Sequence, residues 1–277
     1  MSDILLSNKF RENTIQQLLA LPEDDIAIFL SGGVDSQTLL FALLEANKNV
    51  IAYSFSREDY LSKDYLSAKE VAERFNVKFV SVMLPTDEYS IKRDLLVLHN
   101  EYLCKTKIEY ECFWPFMYVY PIIKEKIVVG GFEGNWGCAR DYALHYKPDI
   151  QRYRKDDWMR ANRSQRIQHY IAGDKFNIFP YFPYRAEEMF RLFYSSTYED
   201  CNKPKEKQVL IDAYPEYFSK IKINYPLGLQ LGKNGISELF EERLLHSNWN
   251  IHNYKSVVGI YNSVNRGEVK VGQRKFI

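Results

Sequence analysis

The sequence predicts an α/β fold, a parallel β-sheet flanked by helices, with a mainly α-helical C-terminal half. Three observations carry that expectation. Short apolar runs alternate with amphipathic stretches through the first half of the chain, the first run breaks into a glycine turn that opens a helix, and the alternation stops beyond about Asp141. Strands separated by helices need crossover connections, which are right-handed and leave the strands parallel.

Residues Ile26 to Leu30 (IAIFL) form a buried strand. The chain turns at Ser31-Gly32-Gly33 and resumes with Leu39, Leu40, Leu43 and Leu44 at helical spacing. Asn49 to Ser56 reads as a second strand. Ser62 to Phe75 reads as a second helix, ended by Asn76 before a third strand at Val77 to Met83. A helix is expected across Phe113 to Ile123, capped or kinked by Pro121, and a buried strand at Ile127 to Val129 runs into Gly130-Gly131. Helices are then expected at Ala186 to Ser195, at Lys207 to Tyr214 with Pro215 as its stop, and at Ile236 to Leu245. With no internal repeat and no low-complexity linker, two closely packed parts are expected: residues 1–140 as a nucleotide-binding domain, and 141–277 as a helical substrate or lid region.

At 277 residues with 46% hydrophobic and 26% charged side chains, the chain has the composition of a folded protein, which excludes disordered, collagenous and fibrous classes. Its 37 Lys and Arg against 36 Asp and Glu leave a net charge of +1, so no global basic field draws it to nucleic acid. The scattered Cys104, Cys112, Cys138 and Cys201 include no C-x-x-C pair, which points to reduced thiols and away from a zinc cluster or a disulfide framework. The acidic start MSDILLSNKFRENT is not a secretory signal, and the most apolar later stretch, Cys112 to Ile123, falls short of the ~20 residues of a membrane helix. A cytoplasmic protein is expected. Aromatic residues, 15% of the chain, suit packing with polar tips or stacking on a ring substrate.

The hexapeptide Ser31-Gly32-Gly33-Val34-Asp35-Ser36 stands between strand and helix, where unpaired N–H groups and the helix dipole make an anion site. Glycines let the backbone approach a phosphate, serines add hydroxyl donors, and Asp35 can hold Mg²⁺ against phosphate oxygens. It is neither G-x-x-x-x-G-K-[ST] nor G-x-G-x-x-G, so neither a kinase-like nor a dinucleotide-binding loop is written here. Ser54, near the end of the second strand, and Gly131 join the loop as candidates for contact with the nucleotide.

This hexapeptide resembles the pyrophosphate loop of the N-type ATP pyrophosphatases, the PP-loop superfamily that includes asparagine synthetases, β-lactam synthetase, and NAD and GMP synthetases. The resemblance covers roughly residues 25–140. It implies an adenine nucleotide α-hydrolase-like sheet that binds ATP with Mg²⁺, activates a substrate oxygen as an adenylate and releases pyrophosphate. Val128-Val129-Gly130-Gly131-Phe132-Glu133-Gly134-Asn135-Trp136 resembles the asparagine-synthetase strand that runs into S-G-E-G-[AS]-D-E, and on that alignment Glu133 matches the acid that assists acyl transfer. Phe182-Pro183-Tyr184-Arg185 resembles the family's P-F-L-D-like turn. Lys207-Gln208-Val209-Leu210 followed by Tyr214-Pro215 is similar to K-x-x-L-R…L-P, and Lys222 lies near the place where the family sets a lysine against developing charge.

One position departs from the pattern. The aspartate that helps hold Mg²⁺ aligns with Trp136, so Asp141 or a neighbour substitutes, or the second contact is missing, or the register differs. The family's N-terminal glutaminase domain is also expected to be absent, because Ser2 follows Met1 and some 25 residues precede the first strand. The nitrogen source is then free ammonia, an amine, or a separate partner.

Residues 147–175 hold Lys147, Arg152, Arg154, Lys155, Arg160, Arg163, Arg166 and Lys175 against Asp149, Asp156, Asp157 and Asp174. With Tyr153, Trp158 and Tyr170 interleaved, this run reads as a nucleic-acid surface, as a solvated helix, or as arginines closing over a triphosphate. The alternatives for function are therefore a C–N ligase working through an adenylate, an ATP pyrophosphatase that modifies a nucleobase or nucleic acid, and a nucleotide-binding protein without chemistry.

Overall fold

The computed structural model describes residues 3–132, 134–138, 149–160, 162–223 and 234–270. Five strands form one parallel sheet in the order β3-β2-β1-β4-β5. Helix α1 (Asp3–Leu19) precedes β1 (Asp25–Phe29), which leads through α2 (Val34–Glu45) to β2 (Asn49–Arg57), and through α3 (Lys63–Arg74) to β3 (Lys78–Leu84). The chain then recrosses through α4 (Glu88–Asn100), α5 (Lys107–Phe113) and α6 (Phe116–Val119) to β4 (Ile127–Gly130) on the other side of β1.

The single helix expected over Phe113 to Ile123 is in fact three short pieces: the end of α5, then α6, then a 3-10 turn at Tyr120–Ile122. Pro115 supplies no N–H and stands just before α6, and Pro121 tightens the last turn, so both prolines act as breaks.

The alternation of strand and helix also extends farther than expected. After β4 come α7 (Gly134–Cys138), α8 (Ile150–Arg160) and α9 (Asn162–Phe176), and then β5 (Phe179–Tyr181) pairs with β4. A three-residue strand containing Pro180 carries little periodicity, and Pro is tolerated there because β5 is an edge strand. The remaining helices are α10 (Glu187–Tyr194), α11 (Tyr198–Asn202), α12 (Gln208–Ala213), α13 (Pro215–Phe218), α14 (Ile236–Leu245) and α15 (Val257–Asn265). Among the described residues no helix is long and apolar enough to cross a membrane.

Alternate residues of each central strand feed opposite faces of the sheet. Ile26, Ile28, Ile127 and Val129 pack into a core shared with α1, α2, α10 and α12, whereas Ala27 and Val128 face a core built with α4, α5, α9, α14 and α15. Covered on both faces, β1 and β4 can be apolar throughout. Phe41, fully buried on α2, has ring centroids of Phe75, Tyr217 and Phe218 at 5.2, 4.7 and 5.1 Å. It ties the helix behind the glycine loop to α13. Phe41→Ala is expected to cost about 3–5 kcal/mol of stability through the cavity it leaves, measured by urea unfolding.

Candidate nucleotide site

In the order 3-2-1-4-5 the chain leaves β1 toward β2 on one side and leaves β4 toward β5 on the other. The loops after β1 and β4 therefore diverge above neighbouring strands, at the crevice where open parallel sheets bind ligands. Ser31 to Gly33 occupy the first loop, and the second begins with Gly131 and Phe132 and runs into α7 at Gly134.

The first loop is shaped from within. Ser36 Oγ lies 3.0 Å from both the amide and the carbonyl of Ser31, 3.1 Å from the Gly33 carbonyl and 2.9 Å from Ser31 Oγ. Ser31 Oγ accepts from the Gly33 amide at 3.2 Å, and Gln37 Nε2 donates to the Gly32 carbonyl at 3.1 Å. Both serine hydroxyls, read from sequence as donors to phosphate, are here engaged with the loop itself. Gly33 caps α2 without a side-chain cap, and the first helical hydrogen bond runs from Gln37 N to Gly33 O. The first turn of α2 thus presents backbone amides, and those amides together with the helix dipole make it a candidate anion site.

Close approach explains the glycines. A Cβ on Gly32 would come within 2.7 Å of Ser67 Cβ and 3.2 Å of Asp64 Cα, so α3 lies directly against the loop. One on Gly131 would stand 3.1 Å from Ser36 N, and one on Gly134 only 2.7 Å from Asp35 Cγ. The second loop is pressed onto the first turn of α2, and two of its glycines make that contact possible. Ser54 lies in β2 one residue past Tyr53, whose carbonyl accepts from Leu30 N at 2.9 Å, which sets Ser54 at the carboxyl edge beside the loop. Asp64, in the first turn of α3, is largely withdrawn from water, and that burial pushes its carboxyl above the ordinary range.

Asp35 and Lys207 form an ion pair, with Nζ on Oδ2, and their side chains are 19% and 7% exposed. The other oxygen, Asp35 Oδ1, is buried with no hydrogen-bond partner. An unpartnered carboxylate oxygen at the mouth of an anion site fits one ligand of a Mg²⁺ that takes its remaining ligands from phosphate and water. Among the described residues no group of three or more His, Cys, Asp or Glu gathers around it.

Lys207 reaches Asp35 from a constrained backbone. Its φ of 58° and ψ of 29° are left-handed, an uncommon conformation for a residue with a Cβ, and its amide donates to Asn202 Oδ1 at 2.9 Å. Asn202 Nδ2 in turn donates to the carbonyls of Cys138 and Tyr198. Tyr184, fully buried in the turn before α10, donates from its hydroxyl to the Asp35 carbonyl at 3.1 Å.

The sequence-based candidates fall into three groups. Ser31, Gly32, Gly33, Asp35, Ser36, Ser54 and Gly131 are brought together at the carboxyl edge of the sheet. Glu133 and Asp141 lie outside the described residues, and of Trp136 only the backbone in α7 is described. Lys222 follows α13 and is exposed. Sequence reasoning passed over Lys207, Tyr184 and Asn202 as site residues. Lys207 opens the stretch likened to K-x-x-L-R and Tyr184 lies in the P-F-L-D-like turn, so the signal for both was present.

The model of the asparagine synthase family matches residues 20–115, from just before β1 to the start of α6. Over that stretch, about a third of the chain, the sequence is similar to the synthetase domain of the asparagine synthase family. No curated protein matches the sequence. Among solved structures, the U34-tRNA thiolase NcsA from Methanococcus maripaludis, with its 4Fe-4S cluster, is similar at 14% identity and a TM-score of 0.41, over 94% of this chain and 77% of that one.

The close approach of Gly134 to Asp35 makes Gly134→Ala a sensitive probe. Its methyl group has no space beside the Asp35 side chain, so the carboxylate must move. Nucleotide affinity or turnover should fall on the order of 10²-fold, as displacements near 1 Å in such sites do, while the thermal midpoint changes little. Calorimetric titration beside a melting curve separates the two.

Proposed function

We propose that the chain binds ATP at its PP-loop, transfers the adenylyl group to an oxygen of a substrate with loss of pyrophosphate, and passes the activated substrate to a nitrogen nucleophile. The observation that carries this reading is the Asp35–Lys207 pair beside the open first turn of α2. The amide cradle holds anionic oxygens without requiring a loop lysine that reaches along the chain to a γ-phosphate. What is held is therefore the group that leaves as pyrophosphate.

Each residue then has a defined task. The amides at the start of α2 bind phosphate oxygens, and Ser31 and Ser36 keep those amides aimed by fixing the loop's turn. Asp35 Oδ1 would hold Mg²⁺, which when bound neutralises charge on the phosphates. Lys207 supplies a cation next to the same phosphates, where a leaving pyrophosphate gathers negative charge. In this reading Glu133 assists attack by the nitrogen nucleophile, and Lys222 is a second lysine directed at the developing charge. The acceptor is a small molecule bearing a carboxylate or a similar oxygen, and the amine is free or supplied by a separate protein.

The alternative is modification of a nucleobase or nucleic acid, motivated by the basic run at 147–175. One of those charges is withdrawn from the surface and two more sit in exposed ion pairs. Arg154 is fully buried, Arg152 lies 3.8 Å from Asp156, and Lys175 pairs with Glu101. That leaves less cationic surface than the sequence suggests, and it favours the small-molecule reading.

The reading is tested by the products. With Mg²⁺, ATP and a panel of carboxylate acceptors, chromatography is expected to find AMP and pyrophosphate. ADP as the main product overturns it, and turnover stimulated only by RNA or DNA favours the alternative. Asp35→Asn is expected to slow turnover by several kcal/mol of barrier through loss of the metal ligand. Ser36→Ala should cost roughly 1–3 kcal/mol by leaving loop groups unpaired.

Lys207→Met is expected to reduce turnover on the order of 10²- to 10³-fold with a smaller change in ATP affinity, because its charge acts mainly on the leaving group. Lys222→Ala, assayed beside it by single-turnover kinetics, measures how far the downstream lysine shares that role.

A further inference from the structure

Behind the ion pair lies a cluster that the nucleotide chemistry does not use. Arg154 on α8 is fully buried. Its guanidinium donates to the carbonyls of Gly137, Phe193 and Ser196, to Gln151 Oε1 at 3.4 Å and to Cys201 Sγ at 3.4 Å. Every oxygen in that set is neutral. A buried guanidinium stays charged, and it is costly unless an opposite charge lies near. Among the described residues the titratable group in hydrogen-bond contact with it is the Cys201 thiol, with the Asp200 carboxylate acting on it from farther away.

Cys201 on α11 has two further contacts. Its sulfur is hydrogen-bonded to Cys138 at the end of α7, and Ser196 Oγ lies 3.4 Å away. Both cysteines are fully buried and neither is in a disulfide. The charged groups facing the pair are Arg154 from α8, Asp200 from α11, Asp35 from α2 and Lys207 next to α12.

From this arrangement we infer that Cys138 and Cys201 are a reactive dithiol, a redox modification site in which Cys201 is the nucleophile and Arg154 its counter-ion. The contact with Cys138 lowers the Cys201 thiol below its ordinary range against the opposing effect of burial, and the guanidinium charge adds to the lowering. A thiolate is the form that attacks. Complete burial limits the partner to a small oxidant of the hydroperoxide class.

The chemistry balances with hydrogen peroxide. The Cys201 thiolate attacks one peroxide oxygen, the O–O bond breaks, and a sulfenic acid forms with release of hydroxide. Cys138 sulfur then attacks the Cys201 sulfur, the S–S bond forms, and the sulfenic oxygen leaves as water with the Cys138 proton. The hydroxide takes up the proton that Cys201 had lost, so two thiols give up two electrons and one peroxide becomes two waters.

The site is wired to Lys207. Asn202, next in sequence to Cys201, holds both the Cys138 carbonyl and the Lys207 amide. Closing an S–S bond draws the sulfurs to about 2.05 Å, well inside any hydrogen-bonded separation, so α7 and α11 must shift against each other. That shift acts on the residue that fixes the Lys207 backbone. The consequence for turnover rests on the proposed ATP chemistry, whereas formation of the disulfide does not.

The full chain is exposed to hydrogen peroxide, quenched, blocked with an alkylating agent under denaturing conditions and mapped by mass spectrometry without reduction. Peptides joined through Cys138 and Cys201 are expected, with Cys104 and Cys112, which are also buried, recovered as alkylated thiols. Cys201 should be lost at least ~10-fold faster than Cys104, in line with its larger thiolate fraction. Cys138→Ser, which removes the resolving thiol, should stop at a sulfenic acid on Cys201 that a dimedone-type reagent traps.

Oxidation of all four cysteines at one rate, or none at Cys201, overturns the site. A clean disulfide with unchanged nucleotide affinity and turnover overturns the link to Lys207. If the reduced protein turns over no ATP, the ATP reading fails and the peptide map still decides the dithiol.

Discussion

The contact between Lys207 and Asp35 is the constraint around which the molecule is arranged. An ion pair removed from water is not a gain in itself, since desolvating two charges offsets much of their attraction. It persists where the surrounding fold fixes both partners. Asp35 is fixed by the first turn of α2, by the Gly134 backbone pressed against its side chain, and by the Tyr184 hydroxyl on its carbonyl. Lys207 is fixed by a left-handed backbone that Asn202 holds through its amide. Three segments distant in sequence thus converge at one carboxylate, and each is anchored to the sheet or to helices packed on it.

That convergence accounts for a feature of the loop that is otherwise odd. A phosphate loop with two serine hydroxyls would gain donors by leaving them open, yet both are spent on the loop's own backbone. Backbone amides at a helix start need no side-chain reorganisation when an anion arrives, provided that the turn already has its final shape. The serines supply that shape. With both hydroxyls spent in this way, the loop would meet an anion preorganised.

Much of the sheet and the place of the glycine loop between strand and helix were legible in the sequence because both depend on local signals. Apolar runs such as Ile26 to Leu30 and Ile127 to Val129 are buried on both faces, and the Ser31–Ser36 motif carries its chemistry in six consecutive residues. β5 was missed because three residues with a central proline offer no period to detect, and its place in the sheet comes from pairing with β4. Lys207 was present in a quoted motif but was passed over in favour of Lys222. Spacing along a chain does not say which lysine folds back onto Asp35, and a left-handed turn at a lysine cannot be read from composition. Arg154 shows the opposite error. In sequence it is one basic residue among eight in a solvated-looking run, and in the structure it is fully buried on carbonyls and a sulfur, because the helix period turns that position inward.

Two of the buried cations, Lys207 and Arg154, divide the electrostatic work. Lys207 faces the nucleotide side and is balanced by Asp35, so the site carries little net charge until a ligand arrives. A polyphosphate bound at the α2 amides adds several negative charges to a pocket of low effective dielectric, where each unmatched charge is far more costly than in water. A divalent ion on Asp35 Oδ1 would offset part of that charge, leaving the lysine, already held beside the same carboxylate, to act on what remains. Arg154 faces away, and its partners include carbonyls from α7, from α10 and from the α10–α11 connection, together with the Cys201 sulfur. Its charge therefore contributes little to phosphate binding and serves instead to clamp α7, the helix whose first residue is Gly134. Gly134 lies against the Asp35 side chain, so that clamp bears on the position of Asp35 and links the thiol cluster to this carboxylate without any direct contact between them.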